Sequence, residues 1–141
     1  MSELNQSLLY GLWRAQTAAQ RAVERALEPF GLTVAQYGTL DSLAEGGPLS
    51  AAAVAKRHGV RPQSIAAAVR DLEQRRLVRR RPHPDHGRIT LIDITANGRK
   101  LHGKADARYA DLERAALDGL APGRRRQLRN GLQHVFERVR E

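Results

Sequence analysis

Between Lys56 and Arg88 the chain carries ten lysines and arginines against three acids, a net charge of +7 within a total of +9. Cations this dense suit an anionic partner, and nucleic acid is the first candidate. Arg75, Arg76, Arg79, Arg80 and Arg81 stand almost side by side, and Arg88 follows a short way on. That exceeds what protecting an edge strand from aggregation needs. Arg61 lies just upstream. Between Arg61 and Arg75 sit Gln63, Ser64, Ala67 and Arg70. Side chains of these types read base edges: glutamine pairs with adenine, arginine with guanine, serine with a base or a phosphate, and alanine leaves room for a thymine methyl. Arg61, Arg75, Arg79, Arg80, Arg81 and Arg88 are expected to hold the DNA backbone. Arg88 is the best placed of them for a narrow minor groove.

Other chemistries find less support. The chain has no cysteine, which removes disulfides, thiolate metal sites and thiol redox switches. Of the five histidines, His58, His83, His86, His102 and His134, none has a histidine partner four residues away, and no metal or other cofactor is expected. Ser50 and Ser64 are placed as a helix cap and a DNA contact. No glycine-framed nucleophile and no phosphate-cradling loop is present, so an enzyme is not expected. No apolar run approaches the roughly 18 residues of a membrane span. Met1 to Tyr10 lacks a basic segment followed by an apolar one. The expected location is cytoplasmic, with no membrane partner.

These residues need elements to hold them. Leu4, Leu8, Leu12, Ala15, Ala19, Val23 and Leu27 recur at helical spacing and predict one long first helix, ended by Pro29 and Gly31. Thr33 is a candidate N-cap for a second helix through Tyr37, Leu40 and Leu43, closed by Gly46-Gly47-Pro48. Ser50 caps a short helix that stops near Gly59. Pro62 then suits the first turn of another, running to about Arg76 with Ile65, Val69 and Leu72 inward. Leu77-Val78 and the β-branched run Arg88 to Ile94 flank a Pro/Gly-containing turn and predict a two-stranded hairpin. Thr95 caps a helix to about Leu120. Pro122 opens a last one with Leu128, Leu132, Val135, Phe136 and Val139 on one face. A short helix, a tight turn and a second helix make a helix-turn-helix, and a hairpin directly after it makes a wing.

Three stretches carry a family resemblance: Leu49 through Ala55; Val60-Arg61-Pro62-Gln63-Ser64-Ile65; and Leu72 through Arg80. With the wing's close, Arg88 through Gly98, they resemble the MarR family over nearly the whole chain. The family usually has glycine where Arg76 stands and Asp-x-Arg at the wing tip, where this chain reads His86-Gly87-Arg88 with Asp85 one residue early. The resemblance implies a mostly α fold with a small β-hairpin wing, a winged helix-turn-helix with long N- and C-terminal dimerisation helices. Residues 1–141 then form one domain, with 1–30 and 96–141 for dimerisation and 33–95 as the DNA-binding lobe. It also implies a pocket for a small aromatic or anionic effector, for which Tyr10, Trp13, Arg14, Thr17 and Tyr37 are the candidates.

The expected function is that of a sequence-specific DNA-binding transcriptional regulator. It would be a homodimer on a pseudo-palindromic operator of double-stranded DNA, and a repressor released by a small-molecule ligand. The competing reading is a winged-helix architectural, RNA-binding or protein-interaction module without an effector.

Overall fold

The computed structural model describes residues 2–140. Leu4 and Leu8 are not on one continuous helix. Helix α1 (Glu3–Gln6) ends at Ser7, which takes an extended backbone and accepts a hydrogen bond from the Tyr10 amide at 3.2 Å. The serine caps α2 (Leu8–Leu27) from within what periodicity alone reads as helix interior. A 3-10 turn (Glu28–Phe30) and left-handed Gly31 close it.

Thr33 opens α3 (Val34–Gly46) with a full capping box: its hydroxyl accepts from the Gln36 amide while the Gln36 side chain accepts from the Thr33 amide. Ser50 caps α4 (Ala51–His58) in the same way through the Ala53 amide, and left-handed Gly59 turns the chain. Pro62 then sits in the first turn of α5 (Pro62–Gln74). Strands β1 (Val78–Pro82) and β2 (Thr90–Ile94) pair antiparallel, Val78 opposite Ile94 and Pro82 opposite Thr90. Leu49 exchanges both backbone hydrogen bonds with Ile92, so β2 has a second neighbour that the sequence reading did not foresee. Helix α6 (Ala96–Ala116) is capped by Thr95, and α7 is Pro122–Val139. Helix α6 stops four residues short of Leu120. Gly119 adopts a left-handed backbone, and the Arg125 guanidinium donates to the carbonyls of Leu117 and Leu120.

The core lies among α3, α4, α5, the hairpin and the end of α2. Leu27, Leu40, Leu43, Ile65, Leu72 and Ile92 are its largest fully buried side chains. It holds α5 by one face, through Ile65, Ala68, Val69 and Leu72. Helix α5 ends in a Schellman motif: Leu77 N donates to Leu72 O and Arg76 N to Glu73 O, both at 2.9 Å. The motif needs a left-handed residue, and Arg76 supplies it at φ 57°, the only non-glycine residue with positive φ among the described residues. Thr95 Oγ1 donates to the Arg76 carbonyl at 2.8 Å and steadies the turn.

In contrast, α2 buries only Ala26 and Leu27, and α7 has no buried residue. Leu8 is 90% exposed and Trp13 60%. The leucine stripes of α2 and α7 border a groove of about 840 Å³ that includes Leu8, Leu12, Leu128, Leu132 and Val135. No described helix is long and apolar enough to cross a membrane.

Candidate nucleic-acid interface

The packing of α5 dictates what it shows to solvent. With Ile65, Ala68, Val69 and Leu72 buried, Gln63, Ala67, Arg70 and Gln74 form an exposed stripe at steps of four, three and four residues. Ser64 is exposed on the shoulder of that stripe, where it also borders a cavity, and Ala66 is half-buried. Of the expected base-contacting residues, Gln63, Ala67 and Arg70 share one face and Ser64 flanks it.

The arginines separate into three groups. Arg75 does not join the others. Its guanidinium donates to the carbonyls of Gly31 at 2.8 Å and Phe30 at 3.0 Å, because the last turn of α5 abuts the 3-10 turn. It clamps the end of α5 to the 3-10 turn, where the sequence reading expected a contact with the DNA backbone. Arg80 faces the same side of the hairpin as buried Val78, which directs it back to α5, where Nε meets Glu73 Oε2 at 2.7 Å. Arg79, on the opposite side, lies 3.2 Å from Asp93 on the facing strand. Arg61, Arg81 and Arg88 are exposed and have no ion-pair partner among the described residues. They flank the α5 stripe from its N-terminus and from the wing.

The wing tip is held by a residue the sequence reading passed over. His83 Nδ1 accepts hydrogen bonds from the amides of Asp85 at 3.0 Å and His86 at 3.1 Å. The His86 ring lies 5.0 Å from it. Asp85 makes no ion pair with Arg88. Histidine thus accepts from the turn amides, the kind of bond a short acidic side chain makes in many loops.

Behind α5 lies a cavity of about 770 Å³ bounded by α2, α3, the α4–α5 turn and α6. Of the five expected pocket residues only Tyr37 lines it. Tyr10 and Trp13 stack on each other at 5.9 Å and Arg14 lies over the Tyr10 ring. Helix α2 meets the cavity at Gln20 and Val23, and Tyr10 is ten residues earlier, about 15 Å along the axis. Thr17 borders a separate shallow cleft.

The cavity wall includes Tyr109, His58, Asp41, Asp106 and Glu113, and neither lysine nor arginine. Tyr37 stacks on Tyr109 at 5.4 Å and donates to Asp106 Oδ1 at 2.7 Å. Burial, then the Asp106 hydrogen bond, push the Tyr37 hydroxyl well above the ordinary tyrosine range, so it stays protonated as a donor. Burial and then Glu113 raise Tyr109 in the same direction. His58 Nε2 lies 2.8 Å from Ser42 Oγ and 3.1 Å from the Gly38 carbonyl, tying α4 to α3. The signal for Asp106 and Tyr109 was their helical spacing on α6 opposite Tyr37, which becomes visible only once α3 and α6 are known to pack together.

The family model described as "MarR family" matches residues 30–89. The HTH-type transcriptional repressor Rv2887 of Mycobacterium tuberculosis is 30% identical over 126 residues, spanning 89% of this chain and 91% of that protein. The crystal structure of CouR from Rhodococcus jostii RHA1 bound to p-coumaroyl-CoA superposes with a TM-score of 0.87 at 32% identity, covering 94% of this chain and 93% of the other. The transcriptional repressor CouR bound to a 23-mer DNA duplex superposes at 0.86 with 26% identity, covering 96% of each chain.

Proposed function

The chain belongs to the MarR family of transcriptional regulators, and from that premise we propose that it is a homodimeric repressor that leaves its operator when a small aromatic ligand binds. The observation that carries this reading is the exposed stripe Gln63, Ala67, Arg70 and Gln74 on a helix whose other face is locked into the core. Two such helices, one per copy, enter successive major grooves about 10 bp apart. Gln63, Ser64, Ala67 and Arg70 meet bases. Arg61, Arg79, Arg80, Arg81 and Arg88 meet phosphates or the minor groove, Arg79 and Arg80 after yielding their acidic partners.

Residues 33–95 make up the DNA-binding lobe, and 1–30 with 96–141 pair the copies. The exposed leucines of α2 and α7 support that division, since burying an apolar side chain of this size gains roughly 1.5–3 kcal/mol. Native mass spectrometry at micromolar concentration is expected to give twice the chain mass, and Leu132→Asp to abolish it. The protein works in the cytoplasm, beside the DNA, and as a regulator without catalysis.

The ligand enters the cavity behind α5. Ser64 and Ile65 reach its wall from α5 and Tyr109 from α6, so an occupant touches both lobe and long helix. It acts by favouring a spacing of the two α5 helices that no longer fits the DNA. CouR has been crystallised with an aromatic acyl-CoA and with DNA, the two kinds of partner proposed here. The wall holds neither lysine nor arginine, which favours an uncharged aromatic ligand over an anionic one. Selecting bound sequences from a random duplex library tests the reading. It predicts a two-fold-symmetric site whose complex dissociates with an aromatic ligand, and enrichment of no sequence opposes it.

A further inference from the structure

Helix α6 carries His102 and Asp106 four residues apart, so both side chains leave one face of the helix. That face packs against α3, and Asp41 on α3 meets them there. His102 Nε2 lies 2.9 Å from Asp41 Oδ1, and one donor atom from each of Asp41, His102 and Asp106 lies within 4.8 Å of the other two. One imidazole nitrogen and two carboxylates form a donor set suited to zinc or manganese, and with a neutral imidazole their charge of −2 matches a divalent ion. Among the described residues neither carboxylate has a lysine or arginine partner.

The surroundings add what a metal site uses beyond its ligands. The Tyr37 hydroxyl donates to Asp106 Oδ1 at 2.7 Å and so fixes that carboxylate from outside the donor set. The Tyr37 ring stacks on His102 at 5.9 Å and restrains the imidazole. Asp41 and Asp106 border the cavity, which leaves room for water in the remaining coordination positions. Periodicity of histidines alone misses this set, because two of its three members are aspartates and one lies on another helix.

We propose that Asp41, His102 and Asp106 bind one divalent transition-metal ion, which fastens the DNA-binding lobe at α3 to the long helix α6. The ion takes the place of the hydrogen bond between His102 Nε2 and Asp41 Oδ1. Its two anchors lie on the elements whose relative position the effector reading also invokes, yet the site itself does not depend on that reading.

Untagged, EDTA-stripped full-length protein titrated calorimetrically with Mn²⁺, Co²⁺ or Zn²⁺ is expected to take up one ion per chain. His102→Gln and Asp106→Asn each weaken uptake by about 100-fold or more, since even outer-shell changes cost 10–100-fold. His86→Ala, on the wing, leaves it unchanged. Mn²⁺ added to ¹⁵N-labelled unsubstituted protein broadens the amide signals of residues 37–42 and 102–106 first, a readout that holds even if a variant fails to fold. No uptake at about 1 mM metal, where weak sites for divalent ions are filled, overturns the proposal. So does uptake that His102→Gln leaves intact, or broadening that begins at residues 83–86. Neither measurement involves DNA, so its failure is distinct from a failure of operator binding.

Discussion

The ring of Phe136, near the end of α7, lies against Gly59 in the turn joining α4 to α5: a Cβ on Gly59 would stand 2.5 Å from Phe136 Cε2. Helix α7 belongs to the surface proposed for the second copy, and Gly59 to the motif proposed for DNA. One contact therefore joins pairing to reading. Phe136→Ala is expected to weaken operator binding by about 0.5–2 kcal/mol, the range for changes that touch neither ligand, with the dimer mass unchanged. Gly59→Ala adds a left-handed alanine, costing about 1–2 kcal/mol, to the overlap with the ring, and lowers the melting temperature. Fluorescence anisotropy on labelled operator and thermal unfolding check the pair. Wild-type operator affinity in Phe136→Ala means the contact transmits nothing.

Arg76 occupies a left-handed position at φ 57°. Arg76→Gly is expected to stabilise the protein by about 0.5–1 kcal/mol: the left-handed cost of roughly 1–2 kcal/mol less the extra entropy glycine loses on folding. Thr95→Val acts in the opposite direction by about 1 kcal/mol, because Thr95 both caps α6 and bonds the Arg76 carbonyl. Urea unfolding at fixed pH measures both.

Much of this was legible in the chain itself, and the reasons are local. Thr33, Ser50 and Thr95 cap helices because short hydroxyl side chains satisfy amides within three residues, a bond that sequence spacing fully specifies. Ser7 obeys the same rule, but a leucine stripe running through it hid the break. The exposed stripe on α5 followed from its buried one. What spacing could not supply was long-range. Arg75 looked like its neighbours until Phe30 and Gly31 came within reach from 45 and 44 residues away. Tyr37 was found, but its cavity partners came from α6, some seventy residues on, and not from α2.

The arginines are expected to separate in salt titrations. Arg81→Ala and Arg88→Ala each make the slope of log K against log salt shallower by roughly 1 per lost contact. Arg75→Ala leaves the slope unchanged and lowers stability by about 1–3 kcal/mol, since two carbonyls lose a charged donor. A slope change in Arg75→Ala equal to that of Arg81→Ala would show that its clamp opens on DNA.

His83 is expected to act on DNA through the wing's shape. His83→Ala leaves the Asp85 and His86 amides without their acceptor and is expected to weaken binding most on operators with A·T-rich, narrow-grooved flanks, the minor groove proposed for Arg88. His83→Asn, whose side-chain oxygen can accept from an amide two residues on, restores part of the loss. Equal affinities for all three proteins on such flanks would remove His83 from the account.

The central claim is that the exposed stripe of α5 reads sequence, and dissociation constants for Gln63→Ala and Arg70→Ala on operator and random duplexes at two salt concentrations test it most directly. Each variant is expected to lose about 1–3 kcal/mol on the operator and less on random DNA, because a base contact discriminates and a phosphate contact does not. Arg81→Ala, measured alongside, loses similar amounts on both. Operator affinities of Gln63→Ala and Arg70→Ala equal to wild type would contradict the assignment of α5 as the recognition helix.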